Sequence, residues 1–208
     1  MNLNQIILAS SSPRRIAMMR QNGIEPIIVP ADVDETIPEG LSMEEAVMYL
    51  ALKKALFVEE KCFGSSIENK ISGTAVVNGT LLENPLIIAA DTVVFRNSII
   101  GKPKDREDAF NILLDLKGKS HDVATGVAII RAGMPVRKVF YEVTKVYVKD
   151  FSLEELNAYL DTDEPYDKAG AYAIQGVFNQ HIDRIEGDLN NVIGFPWDRI
   201  QRELVNLK

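Results

Sequence analysis

The stretch Leu86-Ile87-Ile88-Ala89-Ala90-Asp91-Thr92-Val93-Val94-Phe95 constrains the fold of this chain more than any other. It is a near-continuous apolar run, bounded by Asn84-Pro85 and Arg96-Asn97 and broken in its middle by one carboxylate and one hydroxyl. A run this short between turn residues reads as a buried strand. Burying an ionised carboxylate is costly unless a cation, a metal or several donors meet it. Asp91 is therefore either satisfied structurally or part of the chemistry. The choice turns on whether the rest of the chain brings cations and phosphate-binding elements to it.

With 208 residues, 46% of them hydrophobic, the chain can bury a core as one large domain or two closely joined lobes. The lone cysteine, Cys62, provides no disulfide framework and no cysteine-rich zinc site, and it fits a reducing compartment. No apolar run reaches the length of a membrane span, and Met1-Asn2-Leu3-Asn4-Gln5 lacks the basic start and long apolar centre of a signal peptide. The expected location is the cytoplasm, with no membrane partner. A net charge of −7 without a basic patch opposes nucleic acid as a partner. A small anionic ligand held by a few focused cations is the easier reading.

Gln5 to Ser10 reads as a buried first strand, followed by a helix with Ser12 as N-cap, Pro13 as first helical residue and Gly23 as stop. Arg14 and Arg15 occupy its first turn, where the helix dipole disfavours cations. Two arginines among serines and free N–H groups are arranged as for an anion such as phosphate; the alternative is that both are solvated. Ile24 to Val29 reads as a second strand, and the acidic loop Pro30 to Thr36 after it either binds a divalent cation or is simply solvated. Ser42-Met43-Glu44-Glu45 is a capping box opening a helix to about Lys61, with Met43, Val47, Leu50, Phe57 and Val58 on its buried face. Lys54 falls on that stripe, so it either snorkels outward or points inward as a counter-charge.

Gly64 to Asn84 reads as a surface excursion holding a small hairpin at Asn78-Gly79. After the central strand come a brief extended segment ending at Lys102 and a helix opened by Asp105 and Asp108 and stopped by Gly118. Gly118-Lys119-Ser120 is not a phosphate loop, because Leu113 stands where its first glycine belongs. His121 to Arg131 and Arg137 to Phe151 form an expected antiparallel hairpin, and a second capping box starts a helix at Ser152. Glu164 to Gly176 has loop composition with room for a ligand. Val177 to Glu186 and Asn191 to Ile193 read as strands, and a last helix begins at Pro196.

A serine hydrolase is poorly supported: there is no Gly-x-Ser-x-Gly elbow, and the two histidines, His121 and His181, both lie in strand-like runs. Cys62 has no histidine beside it to make it a nucleophile. There remain Asp91, Glu35 and Asp167 set against Arg14, Arg15, Lys54, Lys102 and Lys168. That mixture suits metal-assisted attack on a phosphate, in which cations offset the growing charge and a carboxylate holds metal or activates water.

At these residues the chain resembles the Maf proteins, a family of nucleotide pyrophosphatases once named for inhibiting septum formation. The resemblance runs through Leu8-Ala9-Ser10-Ser11-Ser12-Pro13-Arg14-Arg15, Val33-Asp34-Glu35-Thr36, Ala51 to Ala55, Ala90-Asp91-Thr92-Val93-Val94 and Gly101-Lys102-Pro103. It continues in Gly118-Lys119-Ser120-His121, Glu164-Pro165, Asp167 to Tyr172, Ile174-Gln175-Gly176 and Asn191 to Pro196. Ala173 departs from the family's usual glycine, Asp188-Leu189 replaces a small-aromatic pair, and the Gly64 to Asn84 excursion is longer than typical.

The resemblance implies an α/β fold, a mixed twisted sheet with flanking helices of the inosine-triphosphatase type. It also implies two lobes around a cleft and assembly as a homodimer. The reaction it implies is hydrolysis of a nucleoside triphosphate to monophosphate and pyrophosphate with Mg²⁺ or Mn²⁺. Asp91 resembles the catalytic proton acceptor, Glu35 an acidic residue near the metal, and Lys54 and Lys102 phosphate-binding lysines. Arg14, Thr92 and Gln175 match the positions of the branch acting on dTTP and UTP. The triphosphate is expected over the start of the first helix, held by Ser10, Ser12, Arg14 and Arg15, with Glu35 and Asp91 as metal ligands. Lys54, Lys102 and Lys168 are expected to neutralise the leaving pyrophosphate, and Asp167 is counted with the substrate-binding residues. Clearance of modified nucleotides and a non-catalytic regulator of cell division are the alternatives.

Overall fold

A computed structural model describes residues 5–64 and 67–207. The opening Met1–Asn4, read above for a leader, and Ser65 and Ser66 lie outside the described residues. In chain order the first elements are β1 (Ile6–Leu8), α1 (Pro13–Gln21), β2 (Ile27–Ile28), α2 (Met43–Phe63), α3 (Ile67–Ser72), β3 (Thr74–Val77), β4 (Thr80–Glu83) and β5 (Leu86–Arg96). They are followed by β6 (Ser98–Ile100), α4 (Arg106–Leu116), β7 (Ser120–Arg131), β8 (Arg137–Val148), α5 (Leu153–Leu160), β9 (Ile182–Glu186), α6 (Leu189–Ile193) and α7 (Trp197–Asn206). Two compact units result. Unit 1 holds Met1–Asp91, Gly126–Tyr141 and Trp197–Lys208, and unit 2 holds Thr92–Thr125 and Glu142–Pro196.

In unit 1, β1 pairs in parallel with β2 and with β5, placing Ile7 opposite Ile27 on one side and Ile87 on the other. The first six residues of β5 are all buried, as a strand covered on both faces requires. The α2 capping box forms in full, with Ser42 Oγ accepting from the Glu45 N–H at 3.2 Å and the Glu45 carboxylate from the Ser42 N–H at 2.8 Å. That helix buries Ala46, Val47, Leu50, Ala51, Lys54, Ala55 and Val58. Gly126 of β7 allows the approach of α2: a Cβ there would lie 2.2 Å from the Val47 carbonyl oxygen. Ser12 takes the N-cap position of α1 with Pro13 in the first turn, but its side chain makes no capping bond.

Two expectations in this unit need correction. The second strand is only Ile27–Ile28, paired with Ile7 and Leu8, because its partner β1 is itself only three residues long. The Gly64 to Asn84 excursion does hold the hairpin β3–β4, with Asn78 at φ 48° and Gly79 at φ 79° as its turn requires. It is not wholly on the surface, however. Alternation along the strands sends Ala75, Val77 and Leu82 into the core beside Ala55, Val58, Phe63 and Ile87, and leaves Val76 and Leu81 exposed.

In unit 2, β6 folds back antiparallel on the end of β5, Val94 opposite Ile100, through Asn97 at φ 63°. β9 runs antiparallel to β8, Lys145 opposite Glu186. Asp105 caps α4 by accepting from the Asp108 N–H at 2.9 Å, and the Ser152–Glu155 capping box opens α5. The expected strand from Val177 is a 3-10 turn over Val177–His181, with β9 beginning at Ile182. Asn191 to Ile193, expected as a strand, is the end of α6; Asp188 caps it through the Asn190 N–H and Gly194 closes it at φ 102°. A short apolar piece has no period of its own, so its caps decide its state. Parallel β1 and antiparallel β6 and β9 make the fold mixed α/β, as expected.

Candidate active site

Unit 1 carries Ser10, Ser12, Arg14, Arg15, Glu35, Lys54 and Asp91, and its chemistry gathers at one ammonium group. Lys54, on the buried face of α2, places Nζ 2.5 Å from Asp91 Oδ1 and 2.7 Å from Glu35 Oε1. The Lys54 and Asp91 side chains are each only 10% exposed, whereas that of Glu35 is 54% exposed. A lysine that snorkelled would show the reverse. The buried charge of Asp91 is met by a cation, so the pair has no unpaired member.

Arg15 comes to the same place from α1. Its Nη1 donates to the Ala90 carbonyl at 2.8 Å and to Ser10 Oγ at 3.2 Å, tying the helix start to β5 one residue before Asp91. Burial lowers the Arg15 pKa, the negative charge of Asp91 works against that shift, and the like charge of Arg14 adds to it. Ser10 Oγ also accepts from the Ser12 N–H at 3.2 Å. Of the arginines expected to meet phosphate, Arg15 thus commits Nη1 to the protein, and Arg14 is half-buried beside it.

Unit 2 carries Thr92, Lys102, Asp167, Lys168 and Gln175. Lys102 is exposed, and its neighbour Gly101 accepts from the Gly170 N–H at 3.1 Å, which brings Lys102 to the loop of Lys168. Gly170 has φ 73°, and a Cβ there would lie 2.8 Å from Val94 Cγ2, so glycine is required on both counts. Lys168 pairs with Asp167 and donates to the Glu164 carbonyl at 3.3 Å. Gln175 is exposed at the far end of the same loop.

Three supporting residues were not found in the sequence. Glu164 closes the loop: Oε2 accepts from the Val177 N–H at 2.8 Å, and Oε1 accepts from the Tyr159 hydroxyl at 3.0 Å and the Phe178 N–H at 3.4 Å. Burial, and then the Glu164 charge, push the Tyr159 phenol up, so it stays a donor. Thr125 Oγ1 donates its one proton to the Asn191 carbonyl at 3.0 Å, so at the 2.9 Å contact with Thr92 it must accept. The Thr92 hydroxyl proton is thereby directed at Thr125. Asn191 in turn donates to the Val123 carbonyl and to Thr144 Oγ1. The Glu164-Pro165 pair and the Asn191 to Pro196 block gave the local hints of these partners.

Chemically, unit 1 offers a buried carboxylate with an ammonium beside it and a second carboxylate leading to solvent. Glu35 and Asp91 converge on one point, whereas no three His, Cys, Asp or Glu side chains converge as a metal cage among the described residues. Two converging carboxylates fit Mg²⁺ or Mn²⁺, which completes its oxygen shell with water and substrate phosphates. No described helix is long and apolar enough to cross a membrane.

Comparison with known proteins agrees with this fold. The chain is 13% identical to a HAM1 protein from Coxiella burnetii, with a TM-score of 0.50 over 97% of this chain and 98% of that one, a likeness of fold alone. A protein of Caldicellulosiruptor bescii named dTTP/UTP pyrophosphatase is 45% identical over 99% of this chain and 96% of its own length. One of Agathobacter rectalis with the same name is 42% identical over 99% of this chain and 98% of its own. A family model described as Maf-like protein matches residues 5–207, and on that match and these identities the chain belongs to the Maf family.

Proposed function

We propose that this chain hydrolyses nucleoside triphosphates to the monophosphate and pyrophosphate, with dTTP and UTP as its substrates. The observation that carries the reading is the buried Asp91, held by Lys54 with Glu35 on the same ammonium, in a chain 45% identical to a dTTP/UTP pyrophosphatase. Asp91 takes the proton of the water that attacks the α-phosphorus, and its fixed position spares the reaction the cost of ordering a base. Glu35 and Asp91 are the residues to hold a divalent cation, which when bound polarises the phosphate and offsets its charge. Lys54 and Arg14 are the cations we assign to the triphosphate, and Lys102 and Lys168 are proposed as further phosphate-binding lysines. Ser10, Ser12 and the backbone at the start of α1 bind phosphate oxygens, and Arg15 fixes that start against β5. Thr92, Asp167 and Gln175 are assigned to substrate binding, with Thr92 and Gln175 choosing the base.

We place the protein in the cytoplasm as a homodimer; light scattering on purified protein tests the assembly. The activity is tested by product analysis with Mg²⁺ or Mn²⁺ and a panel of dTTP, UTP, CTP, GTP, 7-methyl-GTP and ATP. Pyrophosphate from dTTP and UTP is the expected result. Turnover of 7-methyl-GTP alone refutes the assignment of the base, and no turnover with either metal leaves a nucleotide-binding regulator as the reading.

A further inference from the structure

We propose that Lys54 is an internal counter-ion that keeps the Glu35–Asp91 pair closed to a free divalent cation, so that metal enters only together with the triphosphate. The point on which the two carboxylates converge is held by the Lys54 ammonium, 2.5 Å from Asp91 and 2.7 Å from Glu35. Arg15 adds a second positive charge, felt by both Asp91 and Glu35. Two carboxylates against Lys54 and Arg15 leave this cluster with no net charge. A free divalent cation arriving there meets a neutral group and must displace an ammonium whose side chain is 10% exposed. Repulsion at such range, with little water between, is strong.

A metal–triphosphate complex is different, because it carries net negative charge. If the chain acts on such complexes, as proposed above, their phosphate oxygens give the Lys54 ammonium a new partner. Its three donors on a flexible four-carbon stem can turn to them. Both carboxylates are then released to the cation at the moment that substrate is present. Glu35, whose side chain is 54% exposed, is the side from which the exchange can begin. Lys54 thereby makes metal binding depend on substrate and protects the pair from occupation by stray cations.

The test is Mn²⁺ titration of the full chain without nucleotide, followed by the electron paramagnetic resonance signal of free Mn²⁺. Lys54→Met should gain one Mn²⁺ site at least about tenfold tighter than any in the wild type, since one positive charge has left the site. Lys54→Arg, which keeps the charge, should behave as wild type, and Asp91→Asn added to Lys54→Met should abolish the gain. Equal Mn²⁺ affinity and stoichiometry in wild type and Lys54→Met overturns the proposal. Should Lys54→Met fail to fold by circular dichroism, wild-type melting decides. A thermal shift with Mn²⁺ plus a non-hydrolysable α,β-methylene dUTP, and none with Mn²⁺ alone, supports the counter-ion; an equal shift with Mn²⁺ alone sinks it. Pyrophosphate release is scored separately. Its absence refutes the hydrolase reading, whereas equal Mn²⁺ affinities alongside normal pyrophosphate release refute the counter-ion alone.

Discussion

Replacing Glu164 by glutamine removes one charge and one acceptor from the point where the segment of Asp167, Lys168 and Gln175 is closed. The carboxylate takes hydrogen bonds from the Val177 N–H, the Phe178 N–H and the Tyr159 hydroxyl at 2.8, 3.4 and 3.0 Å. An amide has a single oxygen, so its NH₂ must face one set of donors. With the oxygen kept toward Val177, the NH₂ meets the Tyr159 hydroxyl, which can turn and accept, and the Phe178 N–H, which cannot. The loss is one long bond plus the charge assistance on the others, about 2 kcal/mol in all. For a chain of this size that lowers the melting temperature by roughly 4–8 °C. Gly176 belongs to the same device, since a Cβ there would lie 2.1 Å from the Glu164 carboxylate. Gly176→Ala should therefore displace the carboxylate, and the two changes together should cost less than their sum. Circular dichroism melts and steady-state kinetics with UTP are the assays. We expect KM to rise several-fold with kcat within about twofold, because the clamp supports residues proposed to bind substrate and not Asp91. A Glu164→Gln chain that melts with wild type and keeps its KM refutes the clamp.

Asp91→Asn preserves shape and removes the charge beside Lys54, and kcat should fall by about 10²–10⁴-fold, the range expected for a lost general base; turnover near wild type excludes Asp91 as base and as metal ligand together. Thr125→Val removes the acceptor for the Thr92 hydroxyl and the donor to the Asn191 carbonyl. Denaturant titration should show a loss of roughly 1–3 kcal/mol. Discrimination among dTTP, UTP and CTP should change as well, because the Thr92 hydroxyl, proposed above to choose the base, loses the Thr125 acceptor that orients it; Thr125→Ser should keep the wild-type ratio. Burial lowers the His121 pKa from 6.5 to about 4, so at neutral pH the folded and unfolded states are both neutral there. As pH falls through 6.5 the unfolded chain takes up a proton that the folded chain refuses, and stability drops until about pH 4. That penalty amounts to roughly 3 kcal/mol. Urea titrations across this window should show a shallower decline for His121→Gln, and parallel curves would exclude the histidine as the cause.

Local signals in the sequence determined a large part of this protein. Both capping boxes, the Asn78-Gly79 turn, the buried strand around Asp91 and the helix start at Pro13 depend on residues within a few positions of one another. Their geometry is set before any distant contact forms. The set of carboxylates and cations was legible for the same reason, as residue types gathered in short motifs.

Tertiary structure alone decided what those residues do with one another. Lys54 read either as a lysine that snorkels outward, the usual fate on such a stripe, or as an inward counter-charge, and its choice came from Asp91, 37 residues away. Arg15 turned to a carbonyl 75 positions on, and Thr92 to a hydroxyl 33 positions on. Such pairings leave no period in the sequence, because they are fixed by which strands lie side by side. The 3-10 turn at Val177–His181 and the helix at Asn191 were misread for a related cause. Short apolar segments take the state that their caps and packing impose, and β propensity does not outweigh a good cap or the packing of the buried Phe178 ring against Phe151, Tyr159 and Tyr172.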